Sequence, residues 1–299
     1  MTRRPLVLAA LVGVLLVLVA IESRSAAARF DGAAALRHIE RLVAIGPRPA
    51  GSAAGGRARW YIVEALKRGS VESQVRAFEA DTPHGNLHMA NVIGVLPGRK
   101  PDVIMIAGHY DTKWFRDIKF VGANDGGSSA ALLLELARAL AAGGKREYTY
   151  WFVFFDGEEA RGTWTAIDSL YGSRQLASEL ARDKKLPRAM ILVDMIGDRD
   201  LAIRQEGSST PWLTESIWAA ARRLRYEKHF LPEVLAVEDD HAPFLRAGVP
   251  ATLLIDFDYP PWHTAADTLD KVSAESLKIV GEVVLDALPS IEDRLSRGQ

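Results

Sequence analysis

The sequence predicts a single α/β domain over residues 30–292: a mostly parallel, twisted central sheet with helices on both faces. Three observations carry that expectation. Short apolar, β-branched runs alternate with amphipathic runs of helical period from Asp31 onward, the pattern of crossover units. No internal repeat and no linker-like stretch divides the 299 residues. Hydrophobic residues make up 48% and charged residues 25%, the balance of a chain that buries a core.

The elements follow in order. From Asp31 to Ile45, Ala35, Ile39, Leu42 and Val43 recur at helical spacing. The loop GPRPAGSAAGG comes next, then an amphipathic helix through Trp60 to Leu66. NVIGVLPG (91–98) and DVIMIAGHYD (102–111) read as two strands separated by a Pro-Gly turn. GGSSAALLLELARALAAGG (126–144) is a helix that small residues open, leucines fill and Gly143-Gly144 stops. YTYWFVFF (148–155) is a buried strand and SLYGSRQLASELARD (169–183) a helix. RAMILVDMIG (188–197) is a strand, TPWLTESIWAAARRL (210–224) a helix, PATLLIDF (250–257) a strand and SAESLKIVGEVVLDAL (273–288) the closing helix.

Residues 1–28 are a separate object. Arg3 and Arg4 precede an unbroken apolar run from Pro5 to Ile21, and Ala26-Ala27-Ala28 offers an A-x-A-like cleavage site. A run of that length suits a signal peptide or a signal anchor. Either way the arginines stay cytoplasmic and the remainder is expected to be exported. A cleaved segment leaves a periplasmic or extracellular protein; a retained one tethers it to the membrane through residues 5–21.

Composition removes other classes. A net charge of −1 provides no global field for nucleic acid. The absence of cysteine excludes disulfides, thiolate metal sites and a cysteine nucleophile, leaving any metal to His, Asp and Glu.

In open α/β sheets, ligands bind at the carboxyl ends of the strands. After DVIMIAG come His109 and Asp111; after YWFVFF come Asp156, Glu158 and Glu159; after AMILV comes Asp194; after ATLLIDF and a Pro-rich turn comes His263. Asp125, in VGANDGGSS, precedes a helix among glycines that let the backbone approach closely. Taken singly these residues read as helix caps, dipole-favoured acids or satisfied histidines. As a set at strand ends, two histidines and several carboxylates point to a metal such as zinc, held by three protein ligands with one position open. A metal also compensates the adjacent charges of Glu158 and Glu159, which repel each other and resist desolvation. One glutamate then binds the metal, and its neighbour faces the substrate as a general base.

The motifs HYDTKWF, FVGAND, LLLELARAL, FFDGEEA followed by DSLYGSRQLA, EDDHAPFLRAGVP and WHT resemble, in order, the zinc-dependent glutaminyl-peptide cyclotransferases. Those enzymes lie within the clan of M28-type zinc aminopeptidases. The resemblance implies an aminopeptidase-like fold and one zinc held by Asp125, Glu159 and His263. It makes Glu158 the acid/base, with Asp194 and Asp239 hydrogen-bonding around the reacting groups. It makes Trp164 and Trp262 pocket walls and places Glu238 and His241 beside the substrate. The implied substrate is the N-terminal glutamine of a peptide or protein, closed to pyroglutamate with release of ammonia. Two departures stand out. Glu238 replaces an amide side chain of the animal members, and Asp258 falls about where they carry an aromatic; both are expected to add negative charge near the pocket mouth.

A rival of the same clan is an aminopeptidase with two zincs. His109, Asp125, Glu159, Asp194 and His263 supply all the ligands such a site requires, with Asp125 bridging. Trp114, Trp164 and Trp262 favour cyclisation only weakly, through an aromatic, water-excluding pocket. A non-catalytic scaffold is expected to have lost ligands or base, and here every position is filled.

Overall fold

The parity of residues along the central strands decides how the sheet is covered. The computed structural model describes residues 29–144 and 146–298, so the expectations for residues 1–28 lie outside the described residues. In β3 (Val103–His109), β4 (Thr149–Phe155) and β5 (Ala189–Asp194), Ile104, Ile106, Tyr150, Phe152, Ile191 and Val193 face one core. Met105, Ala107, Val153, Phe155, Met190 and Leu192 face the other. Burial on both faces explains why these strands are continuous apolar runs rather than alternating ones.

Helices complete both layers. The first core is closed by α1 (Gly32–Ile45), α2 (Ala53–Arg68), α3 (Gly127–Ala142), α5 (Pro211–Arg223) and α7 (Ala274–Ser296). The second is closed by α4 (Tyr171–Arg182) and the short α6 (His241–Arg246). Side-chain caps fix several starts: Asp31 accepts from the Ala34 amide, Ser52 from Gly55 and Ser273 from Ser276. Each cap contributes about 1 kcal/mol.

The sheet has eight strands in the order β1-β2-β4-β3-β5-β8-β6-β7, with β8 at Ala251–Ile255. The core strands β4, β3, β5 and β8 run parallel, as expected of crossover units. Three strands were not evident in the sequence. β1 (Glu72–Thr82) forms an antiparallel hairpin with β2 (Gly85–Leu96), and β6 (Ile203–Glu206) and β7 (Phe230–Leu235) finish the opposite edge. β1 and β7 are largely solvent-exposed and β6 is only four residues long, so none carries a long buried apolar run to announce it. The closing helix extends to Ser296, passing Pro289, beyond the expected end at residue 288. α4 starts at Tyr171 rather than at residue 169, because Leu170 adopts a left-handed conformation with φ of 52°. Among the described residues no helix is long and apolar enough to cross a membrane.

Candidate active site

The strand register aligns the site. His109 pairs with Phe155 at the end of β3 and β4, and Asp194 pairs with Ile255 at the end of β5 and β8. The Ala107–Leu192 pairing then puts His109 level with Asp194, and their side chains meet at 3.1 Å. Loops leaving these four ends carry Asp125, Glu158, Glu159, Trp164, Trp262 and His263, and the segment before α6 adds Glu238 and Asp239.

Local backbone aims the paired glutamates. Gly157 has φ of 73°, and a Cβ there would sit 2.6 Å from the Met89 sulfur, so only glycine turns the chain at this point. The turn is locked by hydrogen bonds from the Leu170 amide to the Glu158 carbonyl (2.8 Å) and from the Tyr171 amide to the Gly157 carbonyl (2.7 Å). Glu158 donates its own amide to Asp111 at 3.2 Å. His263 also has positive φ, 55°, a strained state for a residue with a side chain. Its ring is boxed in by Trp262, stacked at 4.2 Å, and by the edges of Phe115 and Phe120.

Two groups of three residues offer ligand atoms within 4.8 Å of one another: Asp125, Glu159 and His263, and His109, Asp125 and Asp194. His263 Nε2 lies 3.1 Å from Glu159 and 3.4 Å from Asp125, while His109 Nε2 lies 3.2 Å from Asp125. Asp125 Oδ2 and His109 Nδ1 are buried without a hydrogen-bond partner. Two carboxylates, one imidazole, an unpartnered carboxylate oxygen and an adjoining cavity fit a metal site with an open position. The second group, centred on His109, has the same donor chemistry but lies deeper.

Burial drives the electrostatics. Desolvation, with the nearby charges of Glu159, Asp239 and Asp240, raises Glu158 well above the usual carboxylate range, against the opposing pull of His109. Desolvation and Asp125 push Glu159 up to about 7, and desolvation and Asp194 push Asp239 up to about 7. His263 is raised to about 9: burial opposes its charge, but the adjacent carboxylates of Asp125 and Glu159 outweigh it. Asp125 is desolvated too, but the neighbouring imidazoles of His109 and His263 hold it below its ordinary value.

The cavity encloses about 440 Å³, and its walls include Trp164, Phe257 and Trp262 over a floor of Glu158, Asp194 and Asp239. Of the residues singled out in the sequence, Glu238 also lines it, while its side chain pairs with Arg246 at 3.0 Å. Three expectations are corrected. His241 does not reach the cavity; it is fully buried and turned to Glu206 at 3.1 Å. Asp258 points to solvent and pairs with Arg204 at 3.2 Å, and Phe257, 4.9 Å from Trp262, takes the wall instead. Trp114 stands outside the cavity, between His84 and Arg161. The sequence reading also missed Lys113, whose Nζ lies 3.8 Å from Glu159 inside the cavity. Its position in HYDTKWF, directly after the His109–Asp111 strand end, was the available signal.

Comparison with known proteins fits this geometry. The profile of peptidase family M28 matches residues 91–288. The chain is 33% identical over 280 residues to the glutaminyl-peptide cyclotransferase of Bos taurus, covering 80% of this chain and 78% of that one. Its fold superimposes on an Acidobacteriales bacterium glutaminyl cyclase with a TM-score of 0.84 at 42% identity, covering 89% of this chain and 96% of the other. A Zn-dependent exopeptidase from Parabacteroides distasonis gives a TM-score of 0.81 at 25% identity, covering 86% and 97%.

Proposed function

The chain belongs to peptidase family M28, and we propose that it is a glutaminyl-peptide cyclotransferase, converting the N-terminal glutamine of peptides or proteins to pyroglutamate with release of ammonia. The observation that carries this reading is Glu158 beside the Asp125–Glu159–His263 group, at the bottom of a small aromatic cavity. The cyclotransferase and glutaminyl cyclase relatives support it.

The reaction is intramolecular: the α-amine of glutamine attacks its own side-chain amide. Most of the work is therefore to fold the side chain back and to move one proton. Trp164, Phe257 and Trp262 suit the first task, gripping the aliphatic part of glutamine and excluding water. Glu158 suits the second. The amine must be neutral to attack, with a reference pKa of about 8; the Glu158 carboxylate, made more basic by burial, accepts its proton and returns it to the departing ammonia. Asp239, also raised, and Asp194 sit on the same floor and hydrogen-bond around the reacting groups. Asp125, Glu159 and His263 would hold zinc, which when bound supplies Lewis-acid polarisation of the γ-carbonyl.

A second reading, an aminopeptidase with two zincs, draws on the His109–Asp125–Asp194 group. The cyclotransferase relatives weigh against it. Ammonia release from a glutamine-initiated peptide by the zinc-loaded protein tests the main reading, and free amino acid without ammonia would favour the second.

A further inference from the structure

Arg48 lies in the loop between α1 and α2, yet it ranks among the largest fully buried side chains of the protein. Burying a guanidinium without a paired carboxylate is costly. What it gains is a set of carbonyls. Its Nε donates to the Tyr110 carbonyl at 2.7 Å, its Nη1 to Val121 at 2.5 Å and its Nη2 to Gly122 at 2.8 Å. Its own amide donates to Thr112 Oγ1 at 3.0 Å, and its carbonyl accepts from the Thr112 amide at 3.4 Å.

These carbonyls belong to two segments, one leaving β3 just after His109 and one leading into Asp125. On the far side of the second segment, Asp267 accepts the amides of Asn124 (2.8 Å) and Asp125 (3.1 Å) and the hydroxyl of Tyr259 (2.8 Å). The 121–125 loop is thus gripped at its carbonyls by a buried cation and at its amides by a buried acid. There is no slack in it. Gly122 has φ of 52°, and a Cβ there would lie 2.9 Å from Thr112 Cγ2 and collide with the Asp125 carbonyl. Burial lowers Arg48 to about 10, so it keeps its charge at neutral pH.

We propose that Arg48 is a positioning residue for Asp125: by holding the carbonyls of Tyr110, Val121 and Gly122 it fixes the 121–125 loop, and so presents the Asp125 carboxylate to a metal beside Glu159 and His263. The assignment rests on reading Asp125 as a zinc ligand. An arginine that only filled space would change stability and leave metal affinity alone. One that positions a ligand changes affinity even where the protein is fully folded.

The test is the zinc dissociation constant of the wild type, Arg48→Lys and Gly122→Ala. It is measured by competition with a chromophoric chelator, well below each protein's melting temperature. Lysine keeps the charge, but its single ammonium cannot span three carbonyls as a planar fork does. Gly122→Ala keeps the guanidinium and displaces the same loop, so wild-type affinity in this variant overturns the proposal even if Arg48→Lys does not fold. Each folded variant is expected to bind zinc about 10- to 100-fold more weakly, the usual effect of losing a ligand's support. Wild-type affinity in the folded variants overturns the proposal. No zinc binding by the wild type overturns the ligand reading, and the proposal with it.

Discussion

His263 Nε2 lies 3.1 Å from Glu159 Oε1, although 104 residues separate them in the chain. The contact joins loops leaving β4 and β8, strands separated in the sheet by β3 and β5. It exists because four parallel strands end at one level and their loops fold over a common edge. Asp125 completes the group from the N-terminal side of α3.

Removing one member of that group should remove the metal. His263→Ala is expected to lose stoichiometric zinc after dialysis and to lose turnover, with the fold retained by circular dichroism. Treating the wild type with a chelator should abolish activity, and added zinc should restore it. Undiminished activity in the fully metal-free protein would contradict the assignment.

Glu158→Gln separates proton transfer from metal binding. The variant keeps a side chain of the same shape but cannot accept the amine proton. Turnover should fall by about 10²- to 10⁴-fold while zinc content stays at the wild-type level. A parallel loss of zinc would mean that Glu158 is a ligand rather than a base.

Trp262 stacks on His263 at 4.2 Å and stands 4.9 Å from Phe257. Truncating it in Trp262→Ala opens the cavity on one side. Each glutamine methylene buried against the ring is worth about 0.8 kcal/mol, so KM for a glutamine-initiated peptide should rise up to roughly tenfold. A fall in kcat alone, with KM unchanged, would place Trp262 in support of His263 rather than in substrate binding.

The central strands were legible in the sequence because each is an apolar run buried on both faces. The same property exposed the site. Where such a run breaks abruptly into His109, Glu158, Glu159 or Asp194, the polar residue has to lie at a strand end, and the register brings those ends together. The edge strands gave no such signal, since β1 mixes charged, polar and apolar residues without a regular period on a solvated hairpin. Which residue of the Phe257-Asp258 pair faces the cavity depends on one step of loop geometry, and spacing cannot supply that step. Arg48 was invisible for a related reason: a charged residue in a Gly/Pro loop reads as solvated, and only the fold turns it inward.

The buried carboxyls predict how the metal-free protein responds to pH. Burial pushes Asp156 and Asp239 up to about 7, and Asp256 and Asp267 up to about 6. The folded state then holds protons that the unfolded chain has already lost, so stability falls as pH rises from about 4 to about 7. His263, raised to about 9, acts in the same direction, its contribution being lost as pH rises through that value. His38, pushed down to about 4 by burial, opposes them between about 4 and 6.5. The melting temperature of the metal-free protein should therefore be lower at about pH 8 than at about pH 5. A scanning calorimeter decides this, and the opposite slope would contradict the electrostatics of the site.

The most direct test of the function is the product formed from a tripeptide that begins with glutamine. Zinc-loaded protein lacking residues 1–28 is incubated with it beside Glu158→Gln, and the products are read by mass spectrometry. A peptide that has lost only ammonia, absent with the variant, is the predicted result. Free glutamine and a shortened peptide would contradict it and make the protein a peptidase.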